Sequence, residues 1–350
     1  MYTMVRTRIA IAGAGVIGQA HIAAALGSAT VRLSAIVDPS PGAAVLAARA
    51  GVPLYGTLEA LLAEDRPDGL VLATPNALHV PQGLQCVAAG LPFLLEKPLA
   101  TTVAEGEVLV RAVEQAGIPV LVGHHRAHSA IMARAKEVVQ SGQLGRLVAV
   151  MGSATFYKPD SYFEGNAWRT QKGGGPILLN LIHEVHNLRM LCGEIVAVQA
   201  ISSNAVRGFA VEDTVSISLR FASGVLGSFM LSDTAACPRS WEQTSQENKA
   251  YASDAHEDCY VIAGTNGSLS VPTMRLKTYA RPEDRSWCKP FEQGVVEMVR
   301  CDPIAQQMEH FGAVVRRVAA PLVSVQDGLQ NLRVTEAIVE AAASGHTVCL

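Results

Sequence analysis

The sequence predicts an α/β protein with two domains, the first built on a parallel sheet and the second an α+β domain on a mainly antiparallel sheet. Three observations predict it. The first third of the 350-residue chain alternates short apolar segments with helical patterns, as βαβ units do. A glycine-rich turn, Gly13–Gly18, joins the first strand to the first helix. After Gly123 the pattern changes to alternating segments with the hairpin signal Asn266-Gly267, which indicates antiparallel strands.

Residues 1–123 form the first predicted domain. Each strand is a short apolar run that ends at a turn residue, and the strands are predicted at Arg8–Ala12, Leu33–Asp38, Leu70–Thr74, Phe93–Glu96 and Ile118–Val122. The helices between them are predicted at Val16–Leu26, at Pro41–Ala50, after Thr57, up to Gly90, and from the capping box Thr102–Glu105 to Gly117. Strand–helix–strand order with short connections predicts a parallel sheet.

Residues 124–350 form the second predicted domain, in which the last helix is free to pack back on the first. Its helices are predicted at Ser129–Ser141, Leu178–Leu191, Pro303–Val318 and Asp327–Ala343. Its strands are predicted at Leu147–Ala154, Val196–Ser202, Thr214–Phe221, Val225–Leu231, Cys259–Ala263 and Ser268–Val271. A polar, aromatic loop over Phe156–Lys172 and a long loop over Asp233–His256 complete this domain.

Composition excludes several classes of function. Lys and Arg number 28 against 31 Asp and Glu, so there is no basic surplus to neutralise nucleic-acid phosphates. Two charge-free runs, Ile9–Val31 and Gly69–Leu95, are broken by glycines and prolines, and we expect neither a membrane helix nor a signal peptide. Seven cysteines without a CxxC pair predict a reducing, cytoplasmic location and no metal site.

The turn Gly13-Ala14-Gly15-Val16-Ile17-Gly18 fits the GxGxxG pattern of dinucleotide-binding proteins. Gly13 permits the tight turn, Gly15 lets a pyrophosphate approach the backbone, and Gly18 lets the helix pack on the strand. The first helical residues, Val16 and Ile17, offer N–H groups to the phosphates. Asp38 ends the next strand, 20 residues past Gly18, where a carboxylate accepts from both ribose hydroxyls and repels a 2′-phosphate. The sequence therefore predicts NAD in preference to NADP.

Further polar residues follow the next two parallel strands. Thr74-Pro75-Asn76 ends one of them, with His79 three residues on, and Glu96-Lys97-Pro98 ends the other. Ligands of open α/β sheets bind at the carboxyl ends of the strands. Thr74, Asn76, His79, Glu96 and Lys97 are therefore predicted at the cofactor, with a packing role for His79 as the alternative.

These motifs, in this order, resemble those of the Gfo/Idh/MocA family of nicotinamide-dependent oxidoreductases, and the resemblance covers essentially the whole chain. It implies a Rossmann domain followed by an open-faced sheet domain. It also implies oxidation or reduction of a secondary alcohol or carbonyl on sugars, inositols, and related polyols or cyclic diols. By the same resemblance, Lys97 lies in the active site and hydrogen-bonds the reacting oxygen.

The resemblance further implies a catalytic histidine on a helix after a glycine run. His183 matches it, eight residues past Gly175. The chain departs from the family pattern at two positions: Leu179 stands where many members carry a carboxylate or amide, and His186 where they often carry Asp. Asn180 lies three residues before His183, on the same helix face, and is predicted to bind substrate.

Two other clusters are candidate substrate contacts. His124, Arg126 and their neighbours follow the first domain, and Trp168-Arg169 supplies a flat apolar wall and a fork of donors for hydroxyls or a carboxylate. Purely structural roles are the alternatives for both. A metal pair at His183 and His186 is disfavoured because no third ligand stands at a suitable spacing.

The sequence thus predicts an NAD-dependent dehydrogenase with His183 as general base and Lys97 holding the oxygen. Three alternatives stay open: a redox-assisted glycosidase that uses NAD without consuming it, a nicotinamide-binding regulator, and a dehydrogenase of a non-carbohydrate cyclic diol. The partners expected are a small-molecule polyol or sugar and further copies of the chain, in a homodimer or homotetramer, because an open-faced sheet needs its bare face covered.

Overall fold

A computed structural model describes residues 6–350, so residues 1–5 of the first predicted domain lie outside the described residues. The chain folds into two compact units. The first runs to His128 and takes in Asp302–Leu332 as well; the second comprises Ser129–Cys301 and Arg333–Leu350. This division differs from the predicted boundary after residue 123.

The first unit contains a six-stranded sheet in which every paired strand is parallel, as predicted. The strands are β1 Thr7–Ala12, β2 Val31–Val37, β3 Leu54–Tyr55, β4 Gly69–Leu72, β5 Phe93–Glu96 and β6 Val120–Gly123. Their order across the sheet is β3-β2-β1-β4-β5-β6. Strands β4, β5 and β6 are buried along their whole length, which explains their continuous apolar sequence.

The helices of this unit begin and end at local sequence signals. They are α1 Val16–Gly27, α2 Pro41–Ala50, α3 Leu58–Glu64, α4 His79–Ala88, α5 Val103–Ala116 and α9 Pro303–Val315, with the start of α10, Val325–Ser344. The Thr102 side chain caps α5 by accepting from the Glu105 N–H, as the predicted capping box requires. Gly51 and Gly117 end α2 and α5 in the left-handed conformation.

Helix α9 joins the first unit through contacts with α1 and β2. Glu309 accepts from the Ser28 hydroxyl at 2.6 Å and from the Ala29 N–H at 3.1 Å, at the end of α1. A Cβ on Gly312 would lie 2.7 Å from Val31, so the helix packs closely on β2. These contacts are more than 270 residues apart in the chain, and no local pattern announces them.

The second unit contains a ten-stranded, mainly antiparallel sheet. Its strands are β7 Leu147–Tyr157, β8 Ile195–Ser203, β9 Thr214–Phe221, β10 Leu226–Ser232, β11 Thr234–Arg239, β12 Tyr260–Gly264, β13 Gly267–Val271, β14 Arg275–Thr278, β15 Glu292–Val295 and β16 Val348–Cys349. The order is β15-β14-β13-β12-β7-β10-β9-β8-β16, with β11 beside β7. The pair β7–β10 is parallel, and the predicted hairpin β12–β13 is present.

One face of this sheet is buried and the other is open. Inward residues such as Ile217, Phe229 and Ile262 pack with α6 Ala130–Gln140, α7 Ile182–Cys192 and the end of α10. Burial along β9 alternates strictly between buried and exposed positions, as in a sheet with one solvated face.

The sequence patterns missed several elements of this unit. The predicted loop Asp233–His256 contains β11 and a short helix, α8 Trp241–Ser245. Strands β14 and β15 extend the sheet beyond the last predicted strand, and β15 is exposed throughout and so carries little apolar signal. No helix of residues 6–350 is both long and apolar enough to cross a membrane.

Candidate active site

The glycine turn after β1 contains three glycines. Gly13 and Gly18 have no room for a Cβ, whereas Gly15 faces open space. Gly13 has φ +93°, and a Cβ on it would lie 2.3 Å from the Ala73 carbonyl oxygen. A Cβ on Gly18 would lie 2.0 Å from the Gly13 carbonyl oxygen. A Cβ on Gly15 would meet no atom within 4 Å. The backbone at Gly15 therefore faces open space at the start of α1, which is the cradle a pyrophosphate needs.

The first turn of α1 is accessible. Gly15 is its N-cap, and Val16 is 92% exposed, while Ile17 is half-buried. An exposed valine at the start of a helix, where N–H groups lack intrahelical partners, fits a surface that a ligand covers.

Asp38 follows β2 at the same edge of the sheet. One carboxylate oxygen accepts from the Ala14 N–H at 2.7 Å and the other from the Ser40 N–H at 2.8 Å. Burial raises the pKa of Asp38, but hydrogen bonds from Ser40 and Ala14 outweigh it and leave the pKa below its ordinary value. Asp38 is therefore an anion at neutral pH, with lone pairs left for two ribose hydroxyls. These residues fit an adenosine dinucleotide.

His79 has a different place from the predicted cofactor contact. It is buried, with Nδ1 2.7 Å from the Pro98 carbonyl oxygen and Nε2 3.0 Å from the Thr74 carbonyl oxygen. Burial lowers the pKa of His79 in spite of the two carbonyls, which raise it. Both ring nitrogens face backbone, so His79 ties the ends of β4 and β5 together. Asn76 is exposed, and the Thr74 hydroxyl donates to Gln82 Oε1 at 2.6 Å.

Glu96 is also buried, at 4% exposed, and its carboxylate lies 2.8 Å from His21 Nε2 on α1. Its other oxygen accepts from the Lys97 N–H at 3.1 Å. Burial raises the pKa of Glu96, but the hydrogen bond and charge of His21 outweigh it and the net pKa is lowered. Gly123 makes room for this carboxylate, since a Cβ there would lie 2.8 Å from it. Lys97, half-buried, follows directly at the strand end.

The histidine cluster after β6 is also internal. His124 is 1% exposed and its Nε2 lies 3.0 Å from the Asn331 side-chain amide. Arg126 is buried on the same turn. His128 Nε2 lies 2.8 Å from His310 Nδ1 on α9. These side chains anchor the C-terminal helices to the first unit.

In the second unit, Gly174 and Gly175 precede the helix that carries His183, and neither has room for a Cβ. A Cβ on Gly174 would lie 2.2 Å from the Trp168 carbonyl oxygen, and one on Gly175 would lie 2.4 Å from Glu212 Oε1. That same oxygen accepts from the Ile177 N–H at 2.9 Å. Burial raises the pKa of Glu212. The predicted helix Leu178–Leu191 begins as a π-helical turn, Ile177–Leu181, before α7.

His183 lies on α7 and is 8% exposed, and His186 is 6% exposed on the same helix. Between them Glu184 accepts from the hydroxyl of Tyr260, which also accepts from Asn187 Nδ2 at 3.0 Å. Glu184, Tyr260 and Asn187 thus fix α7 on β12. Within residues 6–350 no group of three His, Cys, Asp or Glu side chains is arranged to hold a metal ion.

Asn180 lies one helical turn before His183 and contacts a buried lysine. Its Oδ1 accepts from Lys158 Nζ at 2.8 Å. Lys158 is 8% exposed and is also paired with Asp233, with Nζ 3.2 Å from Oδ2. Arg207 donates from Nε to Asp233 Oδ1 at 3.0 Å. Burial lowers the pKa of Lys158, against the charge of Asp233, which raises it.

Trp168 and Arg169 lie beside this cluster. The Arg169 guanidinium stacks 3.9 Å above the Tyr162 ring and donates from Nη1 to the Tyr162 carbonyl oxygen at 2.5 Å. Its buried Nε has no hydrogen-bond partner in the described residues. Trp168 is 51% exposed. Trp168 thus exposes an apolar ring surface, while the Arg169 Nε is enclosed.

Sequence reasoning missed Lys158, Asp233 and Arg207 in the second unit and His21 in the first. Lys158 comes directly after β7, and a lysine in an aromatic segment at a strand end is a usable signal. Asp233 and Arg207 carry no such signal, because 26 residues separate them and only the sheet brings them together.

Comparisons with known proteins agree with this architecture. Residues 7–124 match a family model described as an oxidoreductase family with an NAD-binding Rossmann fold, and residues 132–270 match the model of the GFO/IDH/MocA C-terminal domain. The chain is 27% identical over 297 residues to the 1,5-anhydro-D-fructose reductase of Ensifer adhaerens, covering 83% of this chain and 81% of that protein.

It is 23% identical over 350 residues to the inositol 2-dehydrogenase of Rhizobium meliloti, covering 98% of this chain and 99% of that one. Among solved structures, the WlbA dehydrogenase from Bordetella pertussis, in complex with NADH and UDP-GlcNAcA, is similar with a TM-score of 0.78 at 24% identity over 99% of both chains.

Proposed function

The chain belongs to the Gfo/Idh/MocA family of NAD-binding oxidoreductases, and from this premise we propose that it is a dehydrogenase of a sugar, inositol or related polyol. The observation that carries the proposal is the common edge of the parallel sheet. Strands β1, β2, β4 and β5 end there, so the Gly13–Gly18 turn, Asp38, Thr74 and Lys97 share the carboxyl ends of the strands.

The first unit would bind the dinucleotide. The open backbone at Gly15 and the first turn of α1 would receive the pyrophosphate, and the Asp38 anion would accept from the adenosine ribose. NAD, when bound, supplies the hydride acceptor. The proposed preference for NAD over NADP rests on Asp38, whose charge repels a 2′-phosphate.

Oxidation of a secondary alcohol removes a hydride from carbon and a proton from oxygen. We propose that an imidazole nitrogen of His183 takes this proton and that the Lys97 ammonium donates a hydrogen bond to the same oxygen. A cation at that position stabilises the negative charge that develops on the oxygen. A positioned base contributes about 10²–10⁴-fold to the rate.

The substrate side would be built from the second unit. We propose that Asn180 and Arg169 donate hydrogen bonds to the substrate, and Trp168 offers a flat apolar surface. This combination suits a ring that carries several hydroxyls, because the ring face is apolar and its edges accept and donate. The relatives that act on anhydrofructose and inositol support this class of substrate.

The test is NAD reduction, followed as NADH absorbance, over a panel of inositols, sugars and sugar acids. The proposal expects at least one polyol or sugar to be oxidised with net formation of NADH. Release of an aglycone from a glycoside without net NADH would instead indicate a redox-assisted glycosidase. Oxidation of cyclic diols alone, with no sugar or inositol active, would indicate a non-carbohydrate substrate.

We further propose that the protein is a homodimer or homotetramer formed through the open face of the ten-stranded sheet. Three apolar residues at outward positions of β7 and β10, Met151, Leu226 and Met230, are 51%, 58% and 42% exposed. A face of this kind is typical of an interface between copies. All seven cysteines are free thiols, which supports a reducing, cytoplasmic location.

A further inference from the structure

In the hydrogen bond between Lys158 and Asn180, the lysine is the donor and the amide is the acceptor. A lysine ammonium only donates hydrogen bonds, so the atom of Asn180 that lies 2.8 Å from Nζ must be the carbonyl oxygen. The Asn180 Nδ2 then points away from the lysine. In the described part of the chain no acceptor takes a hydrogen bond from this Nδ2. The amide therefore presents two donor hydrogens.

Lys158 is not needed to neutralise Asp233. Arg207 already donates from Nε to Asp233 Oδ1 at 3.0 Å and from Nη2 to the Asp233 carbonyl oxygen at 2.6 Å. A second buried cation beside this pair is expensive to desolvate. The Tyr162 ring, 4.9 Å from Nζ, compensates in part. Lys158 is thus the second of two cations on the Asp233 carboxylate, and its ammonium also donates to Asn180.

Asn180 lies in the π-helical turn Ile177–Leu181 that leads directly into α7, and His183 follows three residues later. The two residues are therefore close together along the helix axis. Gly174 and Gly175 fix the start of this segment through the loop at Trp168 and through Glu212. The amide can still rotate about its own bonds, and Lys158 is what holds its oxygen.

We propose that Lys158 is a positioning residue that orients Asn180, so that Asn180 Nδ2 donates to a second oxygen of the substrate whose first oxygen loses its proton to His183. This inference rests on the proposed dehydrogenase function. It makes the pair Lys158–Asn180 a determinant of specificity for substrates with an acceptor oxygen near the reacting carbon. A substrate without that oxygen leaves the Nδ2 donors unpaired and is disfavoured.

The variant Asn180→Asp tests the roles of the amide oxygen and the amide nitrogen separately. Aspartate keeps an oxygen for Lys158 but replaces the Nδ2 donor with an acceptor of the same size. With myo-inositol as the probe, or the panel sugar that reduces NAD fastest, the KM should rise at least ~10-fold, as expected for a lost hydrogen bond of 1.4 kcal/mol or more, while kcat changes less. An unchanged KM overturns the proposal.

Lys158→Met removes the ammonium and leaves the Asp233–Arg207 pair. The KM should rise about 5-fold or more because the amide is free to turn, and Lys158→Met combined with Asn180→Asp should be no worse than Asn180→Asp alone. Lys277→Met on β14 removes an exposed lysine and is the matched control, expected to change neither constant. Additive effects in the double variant contradict positioning through Asn180.

Thermal unfolding of the same proteins tests the contact without turnover. Asn180→Asp should shift Tm little while Lys158 is present, because the new carboxylate is paired. It should lower Tm clearly more in the Lys158→Met background, where that carboxylate is unpaired. Equal shifts in both backgrounds overturn the proposal. If no panel compound reduces NAD, the proposed function fails, and this thermal comparison still decides whether Lys158 holds Asn180.

Discussion

The carboxylate of Glu96 lies 2.8 Å from Nε2 of His21, and both side chains are buried. The pair joins the end of β5 to the middle of α1. Since α1 begins at the glycine turn and β5 ends one residue before Lys97, a single contact fixes the position of the helix N-terminus relative to the lysine. Glu96 thus helps to position two parts of the predicted cofactor site, the start of α1 and Lys97.

Replacing Glu96 tests this role. Glu96→Gln keeps an oxygen for His21 but removes the charge, and we expect the free energy of unfolding to fall by about 1.5–3 kcal/mol, the range for hydrogen bonds to charged groups. Urea unfolding measures it. The control Glu64→Gln, at an exposed position on α3, should be neutral. Equal stability of the two variants would contradict the role given to Glu96.

Asp38 should decide the choice of cofactor. Asp38→Ser removes the carboxylate that excludes a 2′-phosphate, so NAD affinity should fall by about 10-fold and the gap between NAD and NADP should narrow. Fluorescence titration with both reduced nucleotides measures the two affinities. Equal binding of NADH and NADPH by the unchanged protein would refute the assignment.

Lys97 and His183 should act as a unit. Lys97→Ala and His183→Ala should each lower kcat by about 10²-fold or more while NAD affinity is unchanged, and the double variant should be barely worse than either. His256→Ala, at an exposed histidine, serves as the control. If His183→Ala keeps more than about a tenth of kcat, His183 is not the base, and His186 is the next residue to replace.

Gly175 should be intolerant of even one methyl group. In Gly175→Ala the new Cβ would fall 2.4 Å from Glu212 Oε1, which holds the Ile177 N–H, so the start of the histidine segment must shift. We expect lower thermal stability and a loss of kcat. Gly294→Ala on β15, where a Cβ meets no atom within 4 Å, is the matched control. Equal behaviour of the two variants would show that the close approach has no consequence.

His79 should make stability depend on pH. Its pKa is lower in the folded protein, so below about pH 6.5 the unfolded chain takes up a proton that the folded chain does not. The stability from neutral His79 is present above that pH and is lost as the pH falls toward the folded pKa. His79→Gln removes this titration, so its urea midpoint should fall less between about pH 7.5 and about pH 5.5, on either side of the ordinary histidine pKa. Parallel profiles would contradict the assignment.

Local patterns in the sequence sufficed to predict the parallel sheet, the glycine turn and the order of the polar strand ends. These are local signals: apolar runs bounded by turns give strands, and Gly13 and Gly18 are required because a Cβ at either would collide with backbone. The placement of Asp38 after β2 also follows from its position at a strand end. Patterns within about 30 residues sufficed for all of these.

The partners of the buried polar residues become known only from the folded structure. His79, Glu96 and His124 resemble ligand-binding residues in sequence, yet each is buried on partners that lie 5 to 207 residues away. Lys158 and Asp233 come together because β7 and β10 pair side by side across the sheet. A buried polar group must find a partner, and only the folded chain selects which one.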